Sequence, residues 1–554
     1  MNRRLLILLL ALTAALAVFN VQWVLACGAR TGELKNLGMW CHTVTASLLL
    51  MFPAVVFRRL WPSAVLTAIA YLVMLANLLY LRTFGSWIPW GSYFAAGNLA
   101  DFADAVIDSF RPADALMPLI LVVGFGLASR FPAAPFSWRR FAAWVVALLI
   151  AVGVTVAAFN REEPMADKLR DLRANHNAHA LAASRFSLPV VTVSEALSAP
   201  KMTKANRARI RRAMARRVTS ARTSRFDNLV VIFMESLEGW TAGLSVDGRE
   251  LTPTLNALMA DTANLCVPRL LHDTGTGRSI DAQLLLLSGL IPSRDRIFAF
   301  AYPGNSYPSI YKALKEKCGD ITVRSFTTDH GGIYNLARIA PQFGVDSLYC
   351  WPGAPGEGRR GKRGRRMPDG DFFRRVEREV DSCGLWNVAG GNVLQLATYT
   401  CHSPFRPVPG HRFPSPAEWP SEVRNYLSVV NYTDAALGEF LGWLRRKPGY
   451  ERTLVVIMGD HPAFGAERRA ELSGYVAESA EPSVPLLILN GGKADFRGSA
   501  RQIDVYPTLI SLLGLADYGW HGLGVPLCGP PMKRPRGTSA ISSLILSRDL
   551  LRPH

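Results

Sequence analysis

Glu235, His402, Asp460 and His461 each stand just past a short apolar run that reads as a buried β-strand. Carboxylates together with imidazoles suit zinc or another divalent metal ion. Singly, each has a plainer reading: Glu235 as a turn cap, His402 as a packed core histidine, Asp460-His461 as turn residues. Together they point to a site, because open, mostly parallel sheets form their sites at the carboxyl ends of the strands. The second chemical feature is His272-Asp273-Thr274-Gly275-Thr276-Gly277-Arg278-Ser279-Ile280-Asp281-Ala282-Gln283. It is a glycine-loosened turn, then a hydroxyl residue, then a run over 284–287 that reads as a buried helix. A hydroxyl at a helix start sits among unpaired backbone N–H groups and the positive end of the dipole, which stabilises an alkoxide or a phosphoryl oxygen. Serine before an apolar run is more commonly a plain N-cap. A hydroxyl bound to a metal loses its proton more easily. Arg278, His330, Arg338 and His402 could surround the spreading oxygens of a phosphoryl or sulfuryl group with positive charge. The residues therefore read as a metal-dependent phosphoryl or sulfuryl transfer with a hydroxyl nucleophile.

From Asn228 onward, short apolar runs alternate with helical stretches, the signature of an α/β fold. Strands are expected over 229–233, 321–326, 393–400, 453–458 and 484–489. Helices are expected from Thr252-Pro253, over 421–446, and over 505–513 with Gly514 as the stop. The strand 321–326 leads to Thr327-Thr328-Asp329-His330-Gly331-Gly332. The segment 356–366 is basic and of low complexity.

The first part of the chain has a different composition. The segments 5–29, 36–57, 60–81, 115–129 and 141–160 contain no Asp, Glu, Lys or Arg and are strongly apolar. A spanning helix needs about 20 such residues. The fourth segment is short and carries Pro118, so a buried core helix is its alternative reading. Arg3, Arg4, Arg58, Arg59, Arg130, Arg139 and Arg140 fall on one side of these spans, which sets the N-terminus in the cytoplasm. Five spans then carry everything after Asn160 outside it. Trp87 and Trp90 fit an interfacial position. Residues 161–225 read as a helical connector ending in a basic stretch from Lys201 to Arg225, either a helix on anionic headgroups or a solvated linker. Lys and Arg number 62 against 43 Asp and Glu, a balance that suits anionic lipid or phosphate. No nucleic-acid motif accompanies it. Six of the eight cysteines fall in the outer part, and disulfides there would suit an oxidising periplasm. The expected domains are 1–160 (five transmembrane helices), 161–225 (connector) and 226–554 (catalytic).

Four motifs, Val231-Ile232-Phe233-Met234-Glu235-Ser236, the His272–Ala282 stretch, Thr400-Cys401-His402-Ser403-Pro404-Phe405 and Met458-Gly459-Asp460-His461, occur in that order, followed by Gln502-Ile503-Asp504-Val505-Tyr506-Pro507. In this combination the chain resembles the membrane-embedded branch of the alkaline phosphatase/sulfatase superfamily, above all the lipoteichoic acid synthase-like phosphoglycerol transferases. The resemblance implies a sulfatase-like α/β domain behind a five-helix membrane domain. It implies that Glu235, Asp460 and His461 hold one Mn2+ or Mg2+ ion, with the nucleophile Ser279 as fourth ligand. It places a substrate-phosphate histidine at His402 and further substrate residues between Asp329 and Arg338. There, an ungapped match pairs Asp329 and Tyr334 but puts Leu336 where the family has arginine, with Arg338 as a substitute. Two departures stand out. The family nucleophile is usually threonine, which keeps Thr276 as a minor alternative, and Gln283 stands where many members have glutamate. Ordinary sulfatases are disfavoured, because Ser279 is followed by Asp281 and Gln283 rather than by proline and arginine.

The expected activity is transfer of a phosphoglycerol headgroup from a membrane phospholipid, phosphatidylglycerol, through a phospho-seryl intermediate. The acceptor would be a glycan, a glycolipid or a polyglycerol phosphate outside a bacterial inner membrane. The rivals are a phosphoethanolamine transferase with a Zn2+ site and a degenerate, non-catalytic lipid- or polymer-binding membrane protein.

Overall fold

The computed structural model describes residues 3–27, 31–57, 59–84, 87–88, 109–133, 135–161, 163–174, 180–198, 201–219, 226–275, 277–293, 296–352, 367–387, 391–492 and 499–552. They form two compact units, Met1–Ala199 with Phe300–Pro303, and Pro200–Ala299 with Gly304–His554. The stretch 161–225 is thus shared between the two units.

The first unit is built on α1 (Arg3–Ala26), α2 (Leu37–Val56), α3 (Trp61–Phe84), α4 (Leu116–Ser129) and α5 (Trp138–Phe159). Among the described residues, five helical segments, the fourth running over Pro112–Ser129, are long and apolar enough to cross a membrane. In the fourth, Leu119, Val122 and Val123 are 59, 70 and 50% exposed, which suits a lipid-facing surface and not a protein core. α1 packs against α2, α3 and α4. Its Ala11 meets Gly124 of α4 so closely that a Cβ on Gly124 would lie 2.2 Å from the alanine methyl. Small residues at a crossing let two backbones approach in this way. Arg82 and Asp114 form a buried bidentate pair (2.7 and 2.8 Å) at the far end of α3. Trp87, expected at an interface, is instead 1% exposed and packed in the helix cluster. Trp90 lies outside the described residues.

Three further helices belong to this unit, α6 (Met165–Ala174), α7 (Leu181–Phe186) and α8 (Leu188–Ser198). Trp23 donates to the Ala180 carbonyl, Arg185 pairs with Glu33, and Phe186 packs on Phe159. The basic stretch opens the second unit as α9 (Lys204–Met214). Ile210 and Ala213 are buried, and the helix packs on Thr538–Arg548. Lys204, Arg207, Arg209, Arg211 and Arg212 stay exposed. Arg216 turns inward and donates to the carbonyls of Gly522 and Gly524. Arg222, Arg225, and the basic segment 356–366 lie outside the described residues.

The second unit is an α/β domain around a seven-stranded sheet in the order β4-β9-β8-β1-β7-β5-β6. The strands are β1 (Asn228–Met234), β4 (Leu265–Leu271), β5 (Ile321–Thr327), β6 (Ser347–Cys350), β7 (Gly391–Ala397), β8 (Thr453–Gly459) and β9 (Ser483–Leu489); β2 (Ser245–Val246) and β3 (Arg249–Glu250) make a separate hairpin. β8, β1, β7, β5 and β6 are mutually parallel, and β9 is antiparallel to both β8 and β4. Every residue of β1, β8 and β9 is buried, as expected for strands covered on both faces. β4 and β6 were not among the expected strands. β4 is an edge strand with Pro268, Arg269 and a register shift between Val267 and Leu270, and β6 is four half-buried residues. Neither carries the alternating or continuous apolar pattern that marks a strand. None of the eight cysteines is in a disulfide, so they supply no disulfide argument for compartment.

One buried ion pair ties the loop after β1 to the loop after β8. Glu238 is fully buried and accepts from both terminal nitrogens of Arg469 (2.7 and 2.6 Å), from the Ala463 and Phe464 amides, and from the Trp240 indole. Removing one partner of such a pair strands a buried charge, at a cost of about 3–5 kcal/mol. Arg469→Ala is therefore expected to lower the apparent melting temperature sharply in a detergent thermal-shift assay. Glu238→Gln with Arg469→Met should lose much less.

Candidate active site

The register of β1 against β8 sets the centre of the site. Met234 pairs with Gly459, so the next residues, Glu235 and Asp460, leave the sheet side by side. His461 follows, and the carboxylate and imidazole atoms of the three lie within 4.8 Å of one another. All three are buried. His461 Nδ1 meets the carbonyl of Pro462 at 3.0 Å, a partner that can only accept, so Nδ1 carries the proton. Nε2 then presents its lone pair 3.6 Å from Glu235 Oε1 and 3.7 Å from Asp460 Oδ2. Asp460 Oδ1 is occupied by the amides of Ser236 and His461, both at 2.7 Å.

Burial and the neighbouring Asp460 carboxylate push the Glu235 acid well above its usual range, with Asp329 adding to the effect. Two acids and an imidazole lone pair facing one buried space fit a divalent cation, which would remove the repulsion between the acids. The superfamily uses a divalent metal, and these residues are a cluster able to hold one.

Ser279 is the first residue of α10 (Ser279–Ser288), and its hydroxyl donates to Glu235 Oε2 at 3.3 Å. The helix is capped by Arg278 with no side-chain capping bond, so Ser279 is not the N-cap. β4 delivers this segment, because its end, Leu271, pairs with Ser483 at the same sheet edge. Arg278 (φ 45°) and Ser236 (φ 50°) are non-glycine residues in the left-handed region on either side of the Ser279–Glu235 contact. Such backbone costs about 1–3 kcal/mol and persists where surroundings over-determine it. Thr276, the minor alternative nucleophile, lies outside the described residues.

Asp281 holds the loop that leads into Ser279. It is fully buried, and its Oδ2 accepts from the amides of Gly275 and Gly277, both at 2.9 Å. Burial raises its acid to about 7 against these two bonds. Gly277 is pressed so close that a Cβ would lie 2.3 Å from Asp281 Oδ1. The sequence pattern gives Asp281 no role beyond its place in the motif, and gives none to Ser236 or Glu238. The available signal was an acid in the first turn of a helix, where it meets free N–H groups.

The other expected residues are spread around this centre. Asp329 follows β5 and is close enough for its charge to act on Glu235. Tyr334 (φ 48°) also belongs here: its phenol is raised by burial first and then by the Glu235 charge. His402 is exposed beyond β7, with Nδ1 on the Ser403 carbonyl (2.6 Å) and its ring stacked on Tyr399 at 4.8 Å. His330 is exposed in the loop after β5. Arg338 is half-buried and donates to Asn335 Oδ1 (3.4 Å), within its own turn. Leu336 is buried. Arg278 shares with His461, His272 and Phe464 the wall of a cavity of about 630 Å3. Gln283 accepts from Gln395, which in turn accepts from Tyr311, so a neutral amide suits this buried polar chain.

These features, a metal-ligand cluster at parallel strand ends with a hydroxyl at a helix start, define a phosphatase- or sulfatase-like site. The sulfatase family model matches residues 227–515, more than half of the chain, and the chain belongs to that family. The lipoteichoic acid synthase N-terminal domain model matches residues 2–169. It is a lipoteichoic acid synthase-like member of the alkaline phosphatase superfamily, a multi-pass membrane protein with a C-terminal catalytic domain. Lipoteichoic acid synthase 2 of Bacillus subtilis (strain 168) is 21% identical over 88% of this chain and 78% of its own length. The lipoteichoic acid synthase of Staphylococcus saprophyticus is 21% identical over 82% and 73%. The crystal structure of the lipoteichoic acid synthase LtaP from Listeria monocytogenes aligns with a TM-score of 0.45 and 18% identity, over 60% of this chain and 81% of that one.

Two outcomes test the geometry. Glu235→Gln should abolish stoichiometric Mn2+ binding measured by calorimetry or electron paramagnetic resonance, while Ser279→Ala, which keeps Glu235, Asp460 and His461, should weaken it less. Gly277→Ala should displace the loop against Asp281 and lower kcat by about a hundredfold, with Mn2+ binding retained.

Proposed function

We propose that the protein transfers a phosphoglycerol headgroup from phosphatidylglycerol to an acceptor hydroxyl outside the cytoplasm, through a phospho-seryl intermediate on Ser279. The observation that carries this reading is the Ser279 hydroxyl on Glu235 (3.3 Å), beside Asp460 and His461, in a chain with five membrane-spanning segments. The names of the relatives, lipoteichoic acid synthases, support a glycerophosphate headgroup.

In the proposed reaction the Ser279 oxygen attacks the phosphorus of the lipid, the bond to the diacylglycerol oxygen breaks, and diacylglycerol leaves as a neutral alcohol. The serine proton passes first toward Glu235, its hydrogen-bond acceptor, and from there to the departing diacylglycerol oxygen. An acceptor hydroxyl then attacks the same phosphorus, the bond to Ser279 breaks, and the acceptor's proton passes to the serine oxygen. A divalent ion held by Glu235, Asp460, His461 and Ser279 would lower the proton affinity of the nucleophile; Mn2+ or Mg2+ is the proposed metal. His402, fixed by Tyr399 and Ser403, and Arg278 are proposed to meet the phosphate oxygens. Asp329, Tyr334, His330 and Arg338 are proposed to bound the headgroup. The acceptor is proposed to be a glycan, a glycolipid or a polyglycerol phosphate.

The location is proposed as a bacterial inner membrane with the catalytic domain in the periplasm. The arginine-rich helix ends and the odd number of spans support it.

The test is diacylglycerol release from labelled phosphatidylglycerol or phosphatidylethanolamine by the full chain in detergent with Mn2+. Release from phosphatidylglycerol alone, lost by at least about 10³-fold in Ser279→Ala, is expected. Release from phosphatidylethanolamine alone would replace the headgroup assignment. Mn2+ binding with no release from either lipid would overturn the transferase reading.

A further inference from the structure

At the arginine-rich end of the first unit, a cavity of about 220 Å3 opens between α1, α2 and α5. α1 and α5 both pack on α2 but not closely on each other, and the cavity fills the wedge between them. Its walls are largely hydrocarbon: Leu5, Leu48, Met51, Val55 and Trp144. The Trp144 indole N–H is already given to the Leu48 carbonyl (3.2 Å), so the ring offers carbon to the space. Arg4, in the first turn of α1, and Arg140, in the first turn of α5, line the same cavity. Arg140 uses one N–H on the Pro135 carbonyl (3.3 Å) out of the five a guanidinium carries. Among the described residues that line it, none is Asp or Glu.

An apolar slot between membrane helices with two permanent cations and no lining acid matches a single kind of membrane component. Acyl carbons fit the slot, and a phosphate fits the guanidinium forks. A zwitterionic lipid would bring its own ammonium group against the same arginines. We propose that this cavity is a binding site for an anionic phospholipid, held as a resident lipid that wedges α1 and α5 and separate from any lipid that reacts at Ser279.

The proposal does not rest on the transferase reading, and its test uses Ser279→Ala so that no lipid is consumed. The full chain is placed in phosphatidylcholine nanodiscs containing a small fraction of phosphatidylglycerol with brominated acyl chains, which quench tryptophan emission on contact. The Trp144 contribution is the difference from Trp144→Phe. Quenching of Trp144 is expected at about a tenfold lower mole fraction of brominated phosphatidylglycerol than of brominated phosphatidylcholine. Arg4→Gln with Arg140→Gln should erase that preference, and Arg4→Lys with Arg140→Lys should keep it. Equal quenching by both lipids, or a preference that survives the double glutamine variant, overturns the proposal. If the glutamine variant does not fold, competition by unlabelled phosphatidylglycerol against unlabelled phosphatidylcholine in the parent protein decides the same point.

Discussion

Two carboxylates forced into one buried space are the constraint on which the catalytic half depends. Glu235 and Asp460 belong to strands whose parallel register sets them adjacent, and like charges so placed cannot both ionise without a counter-charge. The surroundings organise this conflict and do not relieve it. Ser236 gives its hydroxyl to Glu235 and its amide to Asp460, and His461 turns a lone pair toward both acids. Glu238 and Arg469 then lock the two loops together from behind, with the Ala463 and Phe464 amides closing on the same carboxylate. A divalent cation is the counter-charge that this set of ligand atoms fits. The same pocket holds the serine against Glu235 without any cap of its own.

The two units meet the hydrophobic effect in opposite ways. In the second, the apolar residues of β1, β8 and β9 are covered on both faces. In the first, many large apolar side chains are left exposed, Leu10, Val122 and Leu149 by 62–70%. Hydrocarbon around such a surface removes the penalty that water would impose, while polar groups inside must find partners. Arg82 with Asp114 and Asn20 with Thr43 meet that demand.

The sequence was most legible where burial is complete. β1, β5, β7, β8 and β9 stand out as apolar runs, and of the acids and histidines that follow them Glu235, Asp460 and His461 come together in one cluster. β4 escaped because an edge strand interrupted by Pro268 and a bulge carries no periodic signal, although it is the strand that leads to Ser279. Asp281 and Glu238 escaped for another reason: their partners are backbone amides and an arginine far along the chain, and spacing does not encode such partners. Ser279 was read correctly as a helix start, but its ordinary role as a cap is taken by Arg278. Trp87 followed composition to an interface and is instead packed among helices. No structural reason emerges for serine in place of threonine at 279.

The reversal of β9 has a consequence for how such a domain can diversify. Because β8 ends and the antiparallel β9 begins at the same edge of the sheet, residues 460–482 leave and return on the side of the metal-ligand cluster. A crossover to a parallel strand would have had to travel the full depth of the sheet and pack a helix on its face. This excursion has no such duty. It is anchored instead at single points, by the Arg469–Glu238 pair and by Phe464, Leu472 and Val476 in the core, so the freedom to vary the rim lies at its exposed positions, such as Tyr475, between those anchors.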